Sequence, residues 1–287
     1  MDAGAASSIV LADGRSLAYA EYGDPAGRPL LALHGTPGSR LIFGGLDATA
    51  RVAGVRVIAT DRPGYGLSSP RPNGSFLGHA DDIRQLLDRL CLDRVTLAGA
   101  CGGGGFAAAA ALRLPVRVSR LVLACAMLPG APAHALAGRS RRTRLLLGLA
   151  ARARWLVRLA MGAQLRALAR RSTPMDERML KGRPSADRAV LTDAREFALV
   201  QAALTEAIRQ GLSATARELA LYTGPGLPLG ELAVPTVVLH GTADTYVPIG
   251  VARWAAGVIP RGRLVEFEGA GHLFLATDPM ALLDEVI

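Results

Sequence analysis

At 287 residues, half of them hydrophobic and 20% charged, the chain carries enough apolar material for a packed core and falls outside the disordered and fibrous classes. Its net charge of +9 belongs to one segment. Ten arginines and no acid lie between Arg139 and Arg171, and without them 23 basic residues face 24 acidic ones. No zinc-finger spacing, RNP motif or basic zipper accompanies this charge, and aromatic residues are only 5% of the chain, so nucleic acid is not the expected partner. Cys91, Cys101 and Cys125 have no framework spacing, and Met1–Ser8 has neither a basic nor an apolar signal region, which sets the expectation of reduced thiols in the cytoplasm. The longest apolar stretch, Leu145–Met161, is interrupted by Arg152, Arg154 and Arg158 and is too short and too charged to span a bilayer.

In chain order, Ser16–Tyr22 alternates as a strand, and Pro29–His34, Val55–Asp61, Arg94–Gly99, Arg120–Ala126, Pro235–His240 and Arg263–Phe267 read as buried strands. Between them, Phe76–Leu90 places Ile83, Leu86, Leu87 and Leu90 on one helical face, and Gly102–Leu112 is an alanine-rich helix. Strand–helix alternation of this kind predicts an α/β fold, a parallel sheet covered on both faces with its chemistry at the carboxyl ends of the strands. From about Leu128 to Leu232 the alternation stops. Helical patterns follow instead at 140–170, 175–180, 185–210 and 213–222, bordered by Pro- and Gly-rich stretches. The expected organisation is one core, residues 1–128 and 232–287, with a helical insertion at 129–231.

The candidate chemistry begins at Cys101. A strand runs into Gly99-Ala100-Cys101-Gly102-Gly103 and then into a helix, the setting of a G-x-S-x-G turn with cysteine in the serine's place. Small neighbours permit the strained turn, and a sulfur at a helix N-terminus is stabilised as a thiolate by the dipole and free N–H groups. Cys91 and Cys125 lack such flanks and read as small buried hydrophobes.

Four further motifs surround this turn: Leu33-His34-Gly35-Thr36-Pro37-Gly38, Asp61-Arg62-Pro63-Gly64-Tyr65-Gly66-Leu67-Ser68, His240-Gly241-Thr242-Ala243-Asp244 and Gly269-Ala270-Gly271-His272. With them the chain resembles the α/β-hydrolases, in particular the proline-iminopeptidase-like and epoxide-hydrolase-like branch, over nearly its whole length. The resemblance implies a mostly parallel sheet with a helical cap, and a nucleophile–acid–base order. Carried over by position, Cys101 attacks, Asp244 orients the base and His272 moves the proton, with the backbone N–H groups of Thr36 and Gly102 as oxyanion donors. His34 and His240 are read as structural, Asp61, Arg62 and Ser68 as fixing their loop, and Trp155 as a candidate wall of the substrate pocket. The absence of an acid at the nucleophile position excludes the carboxylate chemistry of epoxide hydrolases and haloalkane dehalogenases.

The function expected is an ester or thioester hydrolase, a thioesterase included, or an acyltransferase working through an acyl-cysteine. The sequence implies neither cofactor nor metal. The acyl group could arrive on a small molecule, on coenzyme A or on an acyl carrier protein, and the sequence allows a homodimer. The arginine-rich segment is read first as a solvated helix face, with an acidic substrate or carrier as the alternative. Two other classes remain open: a lyase that uses His272 as a base, and a non-catalytic ligand-binding protein.

Overall fold

The computed structural model describes residues 4–287. Eight strands build one sheet: β1 (Ser7–Val10), β2 (Ser16–Gly23), β3 (Arg28–Leu33), β4 (Val55–Thr60), β5 (Val95–Ala100), β6 (Val118–Ala124), β7 (Thr236–Gly241) and β8 (Gly262–Phe267). Their order is β1-β2-β4-β3-β5-β6-β7-β8. Pairing from β4 through β3 to β8 is parallel, and β1 and β2 join antiparallel at one edge. The seven expected strands are all present, with ends shifted by one or two residues. β1 is additional. Three of its four residues are exposed, so no hydrophobic run marks it in the sequence.

Alternation along β3 shows how the sheet divides the core. Leu31 and Leu33 pack with α2 (Phe76–Arg89) and α3 (Gly104–Arg113), while Leu30 and Ala32 face α1 (Asp47–Val52) and the C-terminal helices. Each leucine so buried contributes about 1.5–3 kcal/mol. Both faces are covered, as parallel strands require.

Between the neighbouring strands β6 and β7 the chain makes a wholly helical excursion: α4 (Arg141–Arg152), α5 (Arg154–Ala169), α6 (Ser185–Thr192), α7 (Ala194–Ala207) and α8 (Ser213–Leu221). After β7 come α9 (Ile249–Val258), α10 (Phe274–Thr277) and α11 (Met280–Leu283). The single helices expected at 140–170 and 185–210 are each divided. Asp193 makes the second break, capping α7 by accepting from the N–H groups of Arg195 and Glu196. The first falls at Ala153, where no capping side chain marks it and nothing in the local sequence explains it. Residues 175–180 form turns and not a helix. No helix among the described residues is long and apolar enough to cross a membrane.

Candidate active site

β5 ends at Ala100, and Cys101 follows with φ at +50°, a conformation that costs a non-glycine residue about 1–3 kcal/mol. A short 3-10 turn, Cys101–Gly103, then leads into α3. The carbonyl of Cys101 accepts from the Met127 N–H at 2.8 Å, and the carbonyl of Gly102 accepts from the Tyr222 hydroxyl at 2.7 Å. Neighbours therefore hold the strained turn on both sides. Gly102 cannot carry a side chain here: a Cβ would stand 2.1 Å from Thr36 Oγ1 and 3.0 Å from Thr36 N. This close approach sets the two expected oxyanion donors, Thr36 and Gly102, side by side.

His272, whose charge acts on the Cys101 sulfur, has its Nδ1 2.7 Å from Asp244 Oδ2. Asp244 is held in turn, its Oδ1 accepting from the N–H groups of Tyr246 (2.7 Å) and Val247 (3.0 Å). The structure thus brings Cys101, His272, Asp244, Thr36 and Gly102 together at the carboxyl ends of β3, β5, β7 and β8. Burial alone would push the Cys101 thiol up. The charge of His272 outweighs it, and the pKa settles below the ordinary thiol value. His272 answers in kind: burial opposes its charge, yet the Cys101 sulfur and the Asp244 carboxylate hold its pKa well above the usual imidazole value. A thiolate–imidazolium pair is the form this geometry favours.

Of the other two cysteines, one departs from the expected reading. Cys91 is exposed and not buried. Cys125 is a buried core residue, as expected, and follows β6 beside the site. Burial pushes this second thiol up to about 11, so it stays neutral while Cys101 ionises. Cys125, Asp244 and His272 offer ligand-type atoms within 4.8 Å of one another. Nδ1 of His272 and Oδ2 of Asp244 already satisfy each other, so their closeness needs no metal to explain it.

Two acids that sequence reasoning passed over complete the surroundings. Glu218 on α8 is 2% exposed, and its carboxylate accepts from Thr36 Oγ1 (2.6 Å), Tyr65 Oη (2.9 Å), and Arg62 Nε and Nη2 (both 2.8 Å). Arg62, fully buried, also donates to the backbone carbonyls of His34 and Gly35, so the pair fixes the loop that carries Thr36. Burial would lower the Arg62 pKa, but Glu218 raises it further. Asp187 on α6, 1% exposed, accepts from the N–H of Leu273, one residue past the histidine. A Cβ on Gly271 would fall 2.3 Å from that carboxylate. The only sequence signals for these acids were an Asp and a Glu on otherwise amphipathic helices.

The remaining expectations are placed as follows. His34 is buried, with Nε2 accepting from the Arg62 N–H at 3.1 Å, and His240 Nε2 bonds to the Val247 carbonyl at 2.9 Å. Asp61 binds the Arg40 guanidinium and the N–H groups of Arg40 and Leu67, and Ser68 donates to the Asp61 carbonyl at 2.6 Å. All are structural anchors. Trp155 is not brought to the site: it lies on α5, 60% exposed, and lines neither of the clefts beside the α8 end of the site.

A family model described as the alpha/beta hydrolase fold matches residues 28–279. A non-heme chloroperoxidase of Kitasatospora aureofaciens is 28% identical over 265 residues, 91% of this chain and 90% of that protein. A 2-hydroxy-6-oxononadienedioate/2-hydroxy-6-oxononatrienedioate hydrolase of Cupriavidus pinatubonensis is 29% identical over 228 residues, 77% of this chain and 71% of its own. Among solved structures, a bromoperoxidase of Bacillus anthracis superposes with a TM-score of 0.72 at 22% identity, covering 97% of this chain and 98% of the other.

Proposed function

The chain belongs to the alpha/beta hydrolase fold family, and on that premise we propose that it cleaves esters or thioesters through a covalent acyl-Cys101. Residues 1–128 and 232–287 are the catalytic core of this reading, and 129–231 the cap over it. The observation that carries it is the convergence of Cys101 in its strained turn, the close-set Thr36 and Gly102, and the His272–Asp244 pair, whose charge lowers the Cys101 pKa.

The sulfur attacks the acyl carbonyl, whose π electrons move onto oxygen between the N–H groups of Thr36 and Gly102. Losing one such donor costs about 10²–10³ in rate. The imidazolium of His272 gives its proton to the departing alcohol or thiol, leaving the acyl group as a thioester. His272, now neutral, takes a proton from water as the water attacks. The tetrahedral intermediate then expels the Cys101 thiolate and releases the acid. An acceptor alcohol or amine in place of water makes the same step a transfer.

Sulfur at this position biases the substrate. From an alkyl ester the first intermediate holds a better leaving group in the enzyme's thiolate than in the alkoxide, so it falls back to substrate. Thioesters and activated esters go forward. That asymmetry favours acyl groups borne on thiols, of which coenzyme A and acyl carrier proteins are the carrier-bound forms.

The test is intact-mass analysis of the protein and of a Cys101→Ala variant after incubation with p-nitrophenyl esters and acyl thioesters. An acyl adduct on the parent alone is expected. Product release by the Ala variant at the parent's rate would overturn the reading.

A further inference from the structure

His272 sits in a loop that does little to fix it. The residues ahead of it are Gly269, Ala270 and Gly271, with Gly269 at φ +68°, and α10 begins only at Phe274. The contact of Nδ1 with Asp244 fixes one point of the imidazole and leaves the ring free to turn about that point. A second contact, on the face of the ring, is needed to set its plane.

Tyr246 makes that contact. It lies in the loop between β7 and α9, two residues beyond Asp244, and touches both members of the acid–base pair. Its N–H donates to Asp244 Oδ1 at 2.7 Å, and its ring lies against the His272 imidazole, with centroids 4.9 Å apart and planes tilted by 43°. An aromatic face at such a distance attracts a charged ring.

The far end of Tyr246 is held from the helical excursion. Arg183, half-buried and two residues ahead of α6, donates from Nη1 to the Tyr246 hydroxyl, and its guanidinium carbon lies 5.3 Å from the ring centroid. Among the described residues that hydroxyl is the one hydrogen-bond partner of this guanidinium. Four residues further on, Asp187 accepts from the Leu273 N–H at 2.8 Å. One short segment, 183–187, therefore reaches His272 twice: through Tyr246 against the ring, and through the backbone just after it.

We propose that Arg183 and Tyr246 are positioning residues for His272, a clasp that sets the plane of the imidazole only while the segment ahead of α6 is docked against it. This deepens the reading of His272 as the proton carrier for acyl-Cys101 and rests on it. The other charged and titratable groups around the ring are Cys101, Cys125, Asp244, His240 and Asp187.

The experiment follows kinetics on p-nitrophenyl acetate across pH for the wild type, Tyr246→Leu, Tyr246→Phe, Arg183→Met and the double variant Tyr246→Phe/Arg183→Met. Tyr246 is 39% exposed and Arg183 is half-buried, so none of these empties the core. Tyr246→Leu occupies the space without the aromatic face. It is expected to lower kcat about 10- to 100-fold with little change in KM, the scale of a misplaced catalytic group. It should also move the basic limb of kcat/KM to lower pH, because the face that favours the imidazolium is gone. Tyr246→Phe and Arg183→Met break the same contact, so each should cost less, by a similar factor, and the double variant no more than either alone. Losses that multiply in the double variant overturn the proposal. So does a wild-type kcat and pH profile in Tyr246→Leu, or a basic limb that moves up in Arg183→Met, the mark of a guanidinium acting only by its charge.

A second arm titrates the His272 ring nitrogens by NMR in Cys101→Ala, with the resonances assigned by their loss in Cys101→Ala/His272→Gln. Adding Tyr246→Leu should lower the pKa of the ring, and an unchanged value overturns the clasp. This arm decides the matter even if the parent turns over no ester, the result that would sink the acyl-cysteine reading instead.

Discussion

The two halves of the helical excursion meet the core in opposite ways. The second half, α6 to α8, sends two acids into the protein. Asp187 grips the loop of His272, and Glu218 grips Arg62 and the loop of Thr36. The first half, from Arg139 through α5, holds ten arginines and no acid, and only Leu147, Ala150, Val157 and Gly162 of its two helices are buried. Burying a carboxylate is expensive unless several donors meet it. The second half meets that cost at Glu218, whose carboxylate accepts four hydrogen bonds, whereas Asp187 accepts one and its Oδ2 is buried without a partner. The first half leaves its charges largely to solvent.

That contrast ranks the expected effects of substitution. Cys101→Ala should lower kcat on activated esters by 10⁴-fold or more, measured in steady state, since removing a triad nucleophile alone costs about as much as removing the whole triad. Glu218→Gln comes next. It leaves the Arg62 cation buried without its counter-charge, a loss of about 3–5 kcal/mol readable in chemical denaturation, together with a fall in kcat as the Thr36 loop loosens. The double variant Arg62→Met/Glu218→Leu should be less destabilised than Glu218→Gln. If the two cost the same, the pair is not the unit described here.

Asp187→Asn keeps an acceptor oxygen for the Leu273 N–H and should cost little. Asp187→Ala removes it and should cost about 1–3 kcal/mol, with kcat reduced more than KM is raised. Arg154→Gln and Arg158→Gln together, on the arginine-rich half, should shift stability by less than about 0.5 kcal/mol and change turnover of small esters less than twofold. A larger effect would erase the distinction between the halves.

The pH dependence follows from the two coupled groups. The thiolate needs Cys101 deprotonated, and its pKa is depressed, so kcat/KM should climb at pH values below the ordinary thiol range. Proton donation to the leaving group needs His272 charged, and its pKa is raised, so activity should persist past the usual imidazole value and decline as the ring deprotonates. An acid limb set at the free thiol value would show that the ion pair does not form.

How much of this was legible in the sequence depended on where the information lay. Interior strands were readable because parallel strands buried on both faces become continuous apolar runs, while β1, exposed on three of its four residues, left no such trace. The turn at Cys101 was readable because close approach forces small residues at 99, 100, 102 and 103. Glu218 and Asp187 were not, because a buried acid and a solvated one look alike until distant segments fold against them. Cys125 was read correctly as buried, but its place beside the site was hidden for the same reason. Its proximity to His272 arises from β6 lying beside β7 after an excursion of about a hundred residues, which no local pattern encodes.

The contact between Asp187 and Gly271 also constrains how this sequence can diverge. A side chain at 271 would occupy the space the carboxylate fills, and a shorter residue at 187 would leave the Leu273 N–H without its acceptor. Position 271 cannot gain a side chain alone, and position 187 tolerates only an exchange that keeps its acceptor oxygen. Positions 84 residues apart behave as one inherited character: descendants keep both, or exchange both and find another way to seat the histidine.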